Sequence, residues 1–473
     1  MPIATPPSES IDVLVMLALL VVGPLIGAVL STCVATGSRR WVSAAALLLV
    51  LAMSAGLQWQ LQLAESDATS LHWGPIGGVT IAWTYSSQGF PLLVALVLVT
   101  WVSVQRGLSL GSSAWTIPCS LGLMGLVNLV VVAQDVTSLL TGWAGAIVSC
   151  WWLMSQRGDA VHRRHADWFL REQLAGWICL LVGFAALIGG LSLVRSAPHS
   201  APSATGFLLA ADLLQLPRVC GQHPAALQIW EQWRGWALIP FLAASLTLGG
   251  CLPRRAWPFS GRSPANAVAE LWWVCVLTKL PLLLIGQIIA PVFIASPELL
   301  LLWLGGPLML GMWHVASSFW SRPVSADQLR TAPLLWGNHV GLWLVVHSAA
   351  GPRLDVVAPL LLVLLSSLMW SSSVGTTAAA PSSMRRRLGT WCAGLMLSLV
   401  PVLAWQHSLY DLGTHWMQTQ SPLDSLMWLG FVTAVLLFAT RLLPAITRSM
   451  DGVLGEPEDL QQHVASVELE GET

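Results

Sequence analysis

The chain has 473 residues, of which 55% are hydrophobic and only 10% are charged, and its mean hydropathy is +0.69. Average soluble domains carry about 25% charged residues, so the composition excludes a cytoplasmic enzyme and a secreted disulfide scaffold. The net charge of −1 excludes a basic surface that would attract nucleic acid. These values are typical of a polytopic membrane protein.

Long apolar runs recur along the chain and predict about 13 transmembrane helices, since a helix needs about 20 mostly apolar residues to cross a bilayer. In chain order, the predicted spans are 12–35, 41–58, 89–105, 116–134, 138–155, 170–194, 236–252, 268–290, 298–316, 332–349, 356–373, 388–405 and 425–443. The outer loop 59–88 and the connection 195–235 are the sizeable pieces between them. The sequence therefore predicts an all-α polytopic membrane protein with no folded extramembrane domain.

Arginine is concentrated in the connections on one side of the predicted membrane. The arginines of the opposite side are Arg195, Arg218, Arg234 and Arg353. Loops rich in positive charge stay in the cytoplasm, so we predict a cell inner membrane protein with its N-terminus outside and its C-terminus in the cytoplasm. No basic residue precedes Arg39, and we therefore expect no cleavable signal peptide. Residues 1–448 form the predicted membrane domain, and 449–473 an acidic, disordered cytoplasmic tail.

The eight cysteines form no C-x-x-C pair and fall mostly inside apolar runs. Cysteines in such positions are typical of small buried hydrophobic residues. We therefore expect no metal site, no cofactor and no disulfide framework, and we find no catalytic site in this chain.

Ionisable residues at membrane depth are costly, so each is a candidate for a functional role. Lys279 is the only lysine and lies in the middle of the span 268–290, with Pro281 two residues later. It is either a relay or ion-pairing lysine or a lysine that reaches an interface. Glu270 opens the same predicted helix, where it is expected to stabilise the N-terminus. Asp135 lies in a tight turn between two spans and is either an ion-pathway residue or a helix cap.

Two further features can contribute to an ion pathway. His339 lies in a predicted span, and a histidine on an apolar face is either a relay group or a satisfied core residue. The segment 249–264, GGCLPRRAWPFSGRSP, combines prolines, glycines and arginines where a span should finish, and it includes Arg254. It is either a broken helix that lines an ion path or an ordinary cytoplasmic loop.

The order of several motifs resembles the antiporter-like subunits of respiratory complex I (subunits L, M and N) and of Mrp cation/proton antiporters. The motifs are QDVTSLLTGWAGAIVSCWWLM (134–154), RRAWPFSGRSP (254–264), ASPELLLLWLGGPLMLGMWHVASSF (295–319) and DQLRTAPLLWGNHVG (327–341). The resemblance covers about two thirds of the chain. It implies an antiporter-like subunit fold, with a broken helix near 249–264, inside a larger complex of membrane subunits.

The chain departs from this family at positions that carry its proton path. Ala144 stands where the family has a channel glutamate, and Leu329 and Pro253 stand where it has lysines. Lys279 falls where many members have a lysine. The standard proton path of the family therefore cannot be transferred to this chain intact.

One branch of the family also lacks that glutamate: the DabB-type membrane subunit of two-component inorganic carbon pumps. The segment VHRRHADWFLREQLAGWICLLVG (161–183) resembles the basic connector of that branch. The resemblance implies a cytoplasmic zinc protein related to carbonic anhydrases as partner. We therefore predict a proton-translocating subunit that energises the uptake of CO2 or bicarbonate, with Lys279, Glu270, His339, Arg254 and Asp135 as pathway candidates. A complex I or Mrp-type translocating subunit and a non-conducting scaffold are the alternatives.

Overall fold

The computed structural model describes residues 11–64, 68–76, 79–86, 89–109, 114–156, 160–195, 224–251, 264–285, 305–318 and 336–340, and the isolated positions 289, 292, 342–343, 364, 367–368 and 433–434. The predicted spans 356–373, 388–405 and 425–443 and the predicted tail 449–473 lie almost entirely outside these residues. The count of 13 spans therefore stays a prediction.

The described part is built from helices. They are α1 (Ile11–Cys33), α2 (Arg39–Leu63), α3 (Gly89–Ser109), α4 (Thr116–Val132), α5 (Val136–Ser155), α6 (Ala160–Arg195), α7 (Pro224–Leu248), α8 (Pro264–Cys275), α9 (Leu280–Leu284) and α10 (Gly306–Ser318), with 3-10 turns at Thr36–Ser38 and Leu277–Lys279. Five segments of the described residues are long and apolar enough to cross a membrane, namely Asp12–Cys33, Thr36–Leu63, Gly89–Leu108, Val136–Ser155 and Arg163–Leu193. The prediction of a helical polytopic membrane protein is confirmed.

The helices pack mainly against their neighbours in sequence. Helix α1 packs on α2 and α4, α4 also packs on α3 and α5, and α6 packs on α5 and α7. Helix α8 closes the group by packing on both α3 and α5. The buried interior between these helices is mostly aliphatic, with the fully buried indoles of Trp143, Trp272 and Trp273 among its largest side chains.

Several helices are longer than their predicted spans. Helix α6 begins at Ala160 rather than near 170, and α7 begins at Pro224 rather than near 236. Hydropathy detects only the apolar part of a helix, whereas backbone hydrogen bonding continues through the polar turns beyond it. The basic connector of 161–183 is therefore one continuous helix.

A β-hairpin occupies the segment 59–88, which the sequence predicts as a loop. Strands β1 (Ala68–Ile76) and β2 (Val79–Ser86) pair antiparallel, with Thr69 opposite Tyr85. The Tyr85 hydroxyl donates to the carbonyl of Ser54 at 2.9 Å, and burial raises the pKa of Tyr85 above its ordinary value. The expectation of a loop is therefore wrong over 68–76 and 79–86, where Trp83 and Tyr85 lie on one buried face of β2.

Glycines spaced by seven residues bring α6 and α7 together. Gly176, Gly183 and Gly190 lie on the α6 face toward α7, where a methyl group in their place would meet Leu248, Phe241 and Trp233 respectively. The Trp233 indole also donates to the carbonyl of Ala186 at 2.5 Å. The missing side chains let the aromatic rings of α7 contact the backbone of α6 directly.

Candidate functional site: a buried lysine beside a broken helix

Helix α7 ends at Leu248, and Gly250, two residues later, has a left-handed backbone conformation. The N–H of Gly250 donates to Thr247 at 3.1 Å, and the N–H of Cys251 donates to Leu246 at 2.9 Å. These two bonds form a Schellman motif, and Gly250 takes the required positive φ of 68°. The predicted break at 249–264 therefore begins directly after Leu248, at a glycine that can adopt this conformation.

The broken end of α7 is buried and is held by side chains of the helical segment 336–340. Gly249, Gly250 and Cys251 are all buried. The amide of Asn338 donates to the carbonyl of Gly249 at 2.9 Å, and Nε2 of His339 lies 3.2 Å from the carbonyl of Cys251. A helix end in the interior needs such partners because water does not reach it. This geometry establishes a buried helix end at the first residues of 249–264, and the choice between a broken helix and a loop concerns residues 252–263, which lie outside the described part.

Lys279 lies at a second interruption. The predicted span 268–290 is not one continuous helix, since α8 ends at Cys275 and a 3-10 turn over Leu277–Lys279 precedes α9. The side chain of Lys279 is 2% exposed. Its ammonium donates to Oδ1 of Asn338 and, at 3.3 Å, to Oγ1 of Thr278. The lysine therefore points into the interior and does not reach toward an interface.

Asn338 joins the two interruptions. Its oxygen accepts from Lys279, while its nitrogen donates to Gly249 at the end of α7. We define the Lys279 cluster as Lys279, Thr278, Asn338 and His339 with the carbonyls of Gly249 and Cys251. Lys279 has no carboxylate partner among the residues that the structure describes, so its charge is held by neutral oxygens.

A small cavity lies beside Lys279. It has a volume of about 20 Å³ and is lined by Lys279 and by eight apolar residues: Leu92, Leu96, Val127, Val131, Val276, Leu280, Leu283 and Leu364. A cavity of this kind needs about 10–15 Å³ to admit one water molecule. The cavity is large enough for one water, but Lys279 is the single polar residue in its lining, whereas a buried water usually has two to four polar partners.

The remaining sequence candidates do not all join the cluster. His339 does, and it is 2% exposed. Glu270 is 4% exposed and is the seventh residue of α8, which begins at Pro264, so the expectation that it opens its helix is wrong. The true helix start lies four residues before the predicted span, within the proline-rich segment. Arg254 lies outside the described residues, as do Pro253 and Leu329.

Asp135 is a structural anchor. Its Oδ1 accepts from the N–H of Ser138 at 2.6 Å, which caps α5, and its Oδ2 accepts from the N–H of Ala82 in β2 at 3.1 Å. The side chain is 1% exposed. The carboxylate therefore satisfies two buried backbone donors and attaches the hairpin to the start of α5.

Replacing Asp135 by alanine is expected to lower the free energy of unfolding by about 2 kcal/mol or more. A lost cap costs about 1 kcal/mol, and the Ala82 N–H left buried without a partner costs about 1–3 kcal/mol. The measurement is a denaturant titration in detergent. The matched control is Asp12→Ala, which removes an exposed carboxylate from the first turn of α1 and should change stability by less than about 0.5 kcal/mol. Equal effects of the two variants would contradict the anchoring role.

Neutral polar groups of the cluster are not among the sequence candidates. Asn338 and Thr278 carry no charge; Asn338 bonds to Lys279, 59 residues away in sequence, and Thr278 bonds to the backbone of its own helix and to the adjacent Lys279. The signal that could have found Asn338 is its place beside His339 in an apolar run. The family glutamate position, Ala144, is half-buried on α5 next to the fully buried Trp143.

Gly311 of α10 lies directly against the ring of His339. A methyl group at Gly311 would overlap Nε2 of the ring, whereas one at Gly306 of the same helix would meet nothing within 4 Å. We expect Gly311→Ala to displace His339 from Cys251 and to lower the free energy of unfolding by about 1–3 kcal/mol, the usual cost of overpacking. Gly306→Ala is the control and should be neutral. Thermal unfolding in detergent compares them, and identical midpoints would contradict this packing.

The structure also bears on metal binding and cysteine chemistry. Within the described ranges, no group of three or more histidine, cysteine or acidic residues is arranged to hold a metal ion. The six described cysteines are free thiols, and those at Cys150, Cys251 and Cys275 are buried. The thiol of Cys150 donates to the carbonyl of Ala269 at 3.5 Å, which links α5 to α8.

No protein-family model matches the sequence, and no curated protein matches it. Solved structures do match the fold. A chain of the Mrp complex from Dietzia sp. DQ12-45-1b superposes with a TM-score of 0.63 at 14% identity, covering 92% of this chain and 80% of that one. A chain of respiratory complex I from Thermus thermophilus gives a TM-score of 0.61 at 14% identity, covering 91% and 88%.

A third similar structure is a chain of the membrane-bound sulfane sulfur reductase, an archaeal respiratory membrane complex. It gives a TM-score of 0.62 at 13% identity and covers 90% of this chain and 69% of that one. At such identities the likeness shows the fold. The protein is thus a polytopic helical membrane protein that shares its fold with these chains of the Mrp complex, respiratory complex I and the sulfane sulfur reductase, in agreement with the fold that the motif order predicts.

Proposed function

We propose that this chain is an ion-translocating subunit of a multi-subunit membrane complex, with the proton as its ion. The observation that carries the proposal is the Lys279 cluster. It places a titratable ammonium on neutral oxygens, where the buried end of α7 meets the interruption between α8 and α9. Buried ionisable groups at interrupted helices are typical of ion pathways. The fold supports the proposal, since all three similar structures are chains of membrane complexes.

Lysine suits this site because it can exchange a proton where arginine cannot. Lys279 lies beside the small apolar cavity, which can admit one water. His339 adds a second titratable side chain within the same cluster. We propose Lys279 as the central pathway residue, with His339, Glu270 and Arg254 as accessory groups. The main role of Asp135 is to anchor the hairpin to α5, and we propose a role in the ion pathway for it only as a secondary one.

The transport is proposed to energise the uptake of CO2 or bicarbonate with a cytoplasmic zinc protein related to carbonic anhydrases. Support comes from the sequence: Ala144 replaces the channel glutamate, and the basic connector 161–183 resembles the DabB-type branch. The connector is part of the continuous helix α6 and carries Arg163, Arg164 and Arg171. This proposal also requires the start of α6 to face the cytoplasm, with the N-terminus outside in a cell inner membrane.

A complex I or Mrp-type translocating subunit is the second candidate, and the similar structures favour it. Its partners would be other hydrophobic subunits. A non-conducting scaffold is the third, because Ala144, Leu329 and Pro253 have lost the ionisable groups of the family pathway. The buried lysine argues against a scaffold, because Lys279 has no carboxylate partner among the described residues and burying such an ammonium costs stability.

The test is transport by the native complex. The tagged protein is purified from its own membrane in mild detergent, its partners are identified by mass spectrometry, and the complex is reconstituted into vesicles with a pH-sensitive dye inside. Proton flux driven by an imposed membrane potential is the expected result, and its absence would overturn the proposal. A soluble zinc protein among the partners supports carbon uptake, whereas hydrophobic subunits alone contradict it and support the Mrp-type reading.

A further inference from the structure

Helix α6 buries one polar side chain within an otherwise apolar stripe. The buried members of the stripe recur with helical spacing at Ala166, Phe169, Gln173, Leu180, Phe184, Leu187 and Leu191. Gln173 is 0% exposed. A glutamine at such a position costs stability unless its amide is hydrogen-bonded. The apolar residues of the stripe offer the Gln173 amide no hydrogen-bond partner, so its burial needs another explanation.

The neighbours of Gln173 on the same helix face show where its amide lies. Phe169, one turn earlier, stacks edge-to-face on Trp273 of α8 with ring centroids 6.3 Å apart. A methyl group at Gly176, one turn later, would meet Leu248 and Thr247 at the end of α7. Residues three and four apart share a helix face. Gln173 therefore faces the broken end of α7, between Trp273 and Leu248.

Both polar atoms of the Gln173 amide lack a hydrogen-bond partner among the described residues. Nearby hydroxyl groups are satisfied by their own helices: Ser245 donates to Phe241 at 2.7 Å, and Thr247 donates to Ala243 at 2.7 Å. The amide of Gln173 has two donor hydrogens and an acceptor oxygen. Fully buried amides of this kind are rare, and internal water is their usual partner.

We propose that Gln173 binds internal water beside the end of α7, and that this water forms part of the path by which protons reach the Lys279 cluster. The second clause rests on the proposed function. Gln173 lies 13 residues after Ala160, or about 20 Å along the helix axis at 1.5 Å per residue. That distance puts the amide well inside the bundle.

The indole of Trp273 contacts the face of α6 that carries Gln173 and also lies close to the end of α7. A methyl group at Gly250 would lie 3.4 Å from Trp273 and 3.6 Å from Thr278, the residue before Lys279. Trp273 therefore contacts α6 through Phe169 on one side and the α7 end on the other. Trp273 is therefore a contact shared by the surroundings of Gln173 and by Gly250, which lies beside Thr278 of the Lys279 cluster.

Radiolytic footprinting tests the water directly, because hydroxyl radicals formed from bound water oxidise the side chains beside it. The full complex in lipid nanodiscs is exposed to a synchrotron beam, and the oxidation of Phe169 and Trp273 is quantified by mass spectrometry. We expect Phe169 to be oxidised at least threefold faster than Phe241, which is equally buried but packs on Phe184; Trp273, as a different ring, is compared only with itself between variants. Rates equal to that of Phe241 in the wild type would overturn the water site.

Variants then separate water binding from a structural role. Gln173→Leu should reduce the oxidation of Phe169 to the rate of Phe241 and lower that of Trp273 below its wild-type rate, while Gln173→Glu should retain both. If Gln173→Leu does not fold, the comparison of Phe169 with Phe241 in the wild type and in Gln173→Glu still decides whether water is bound at this site. Unchanged oxidation in a folded Gln173→Leu protein would overturn the assignment of the water to this amide.

Proton flux in vesicles tests the approach path. We expect Gln173→Leu to lower the flux at least tenfold and Gln173→Glu to lower it less. Full flux in a Gln173→Leu protein that has lost the oxidation signal overturns the path while leaving the water site in place. Absence of flux in the wild type overturns the proposed function instead, and footprinting still decides whether Gln173 binds water.

Discussion

The Lys279→Met variant is expected to remain folded in the membrane and to lose at least nine tenths of the ion flux of the complex. Methionine has a length close to that of lysine but carries no exchangeable proton. An ammonium on neutral acceptors has a desolvation cost of several kcal/mol, so its removal should offset the loss of a partner for Asn338, which costs about 1–3 kcal/mol. The measurements are proton flux in vesicles and the thermal midpoint in detergent.

Lys279→Arg is the companion variant that separates two roles of the lysine. Arginine keeps the positive charge but does not release a proton in proteins. If Lys279 relays protons, Lys279→Arg should be as inactive as Lys279→Met. If the charge acts only through its field on other groups, the arginine variant should retain flux. Full activity of Lys279→Met would eliminate both roles and favour a scaffold.

Gly190→Ala should destabilise the protein, although alanine is the better helix former. Within α6 the exchange gains about 1 kcal/mol in helix propensity. The added methyl group would overlap the Trp233 ring and break its bond to Ala186, which was found at 2.5 Å. Overpacking costs about 1–3 kcal/mol and a lost hydrogen bond about 1 kcal/mol. The expected balance is a loss of about 1–3 kcal/mol in the free energy of unfolding.

Gly189→Ala provides a control at the adjacent residue. A methyl group there would lie 3.6 Å from the Trp233 ring, which is an ordinary contact. This variant should therefore be neutral, or more stable by up to about 1 kcal/mol. Denaturant titration in detergent measures the difference between the two variants. Similar values would mean that α6 and α7 do not depend on their close contact at Gly190.

The burial of Lys279 was predictable from the sequence, but the local helix interruption was not. A single lysine in the middle of a long apolar run must lie in the membrane interior if the run spans the bilayer, so its burial follows from its position in the run. The interruption depends on how the chain turns after Cys275, and a 20-residue apolar window averages over it. Pro281 carries the missed signal, because proline is favoured in the first turn of a new helix.

The hairpin and the Asn338 contacts were missed for different reasons. Strand β2 has the alternation of a half-buried strand, with Trp83 and Tyr85 on the buried face, but a search for long apolar runs passes over it. Asn338 is 59 residues from Lys279 and 89 residues from Gly249. Only the tertiary fold brings these groups together, and no local pattern specifies an amide as their bridge.

Asn338 also determines what happens to the helix end when the lysine changes its charge. The ammonium and the neutral amine of lysine are both hydrogen-bond donors, so the amide oxygen can keep facing Nζ in either state. The amide nitrogen then keeps facing the carbonyl of Gly249, and the end of α7 has no reason to move. A proton can therefore arrive at or leave Lys279 within a rigid frame, with reorganisation limited to the hydrogens themselves.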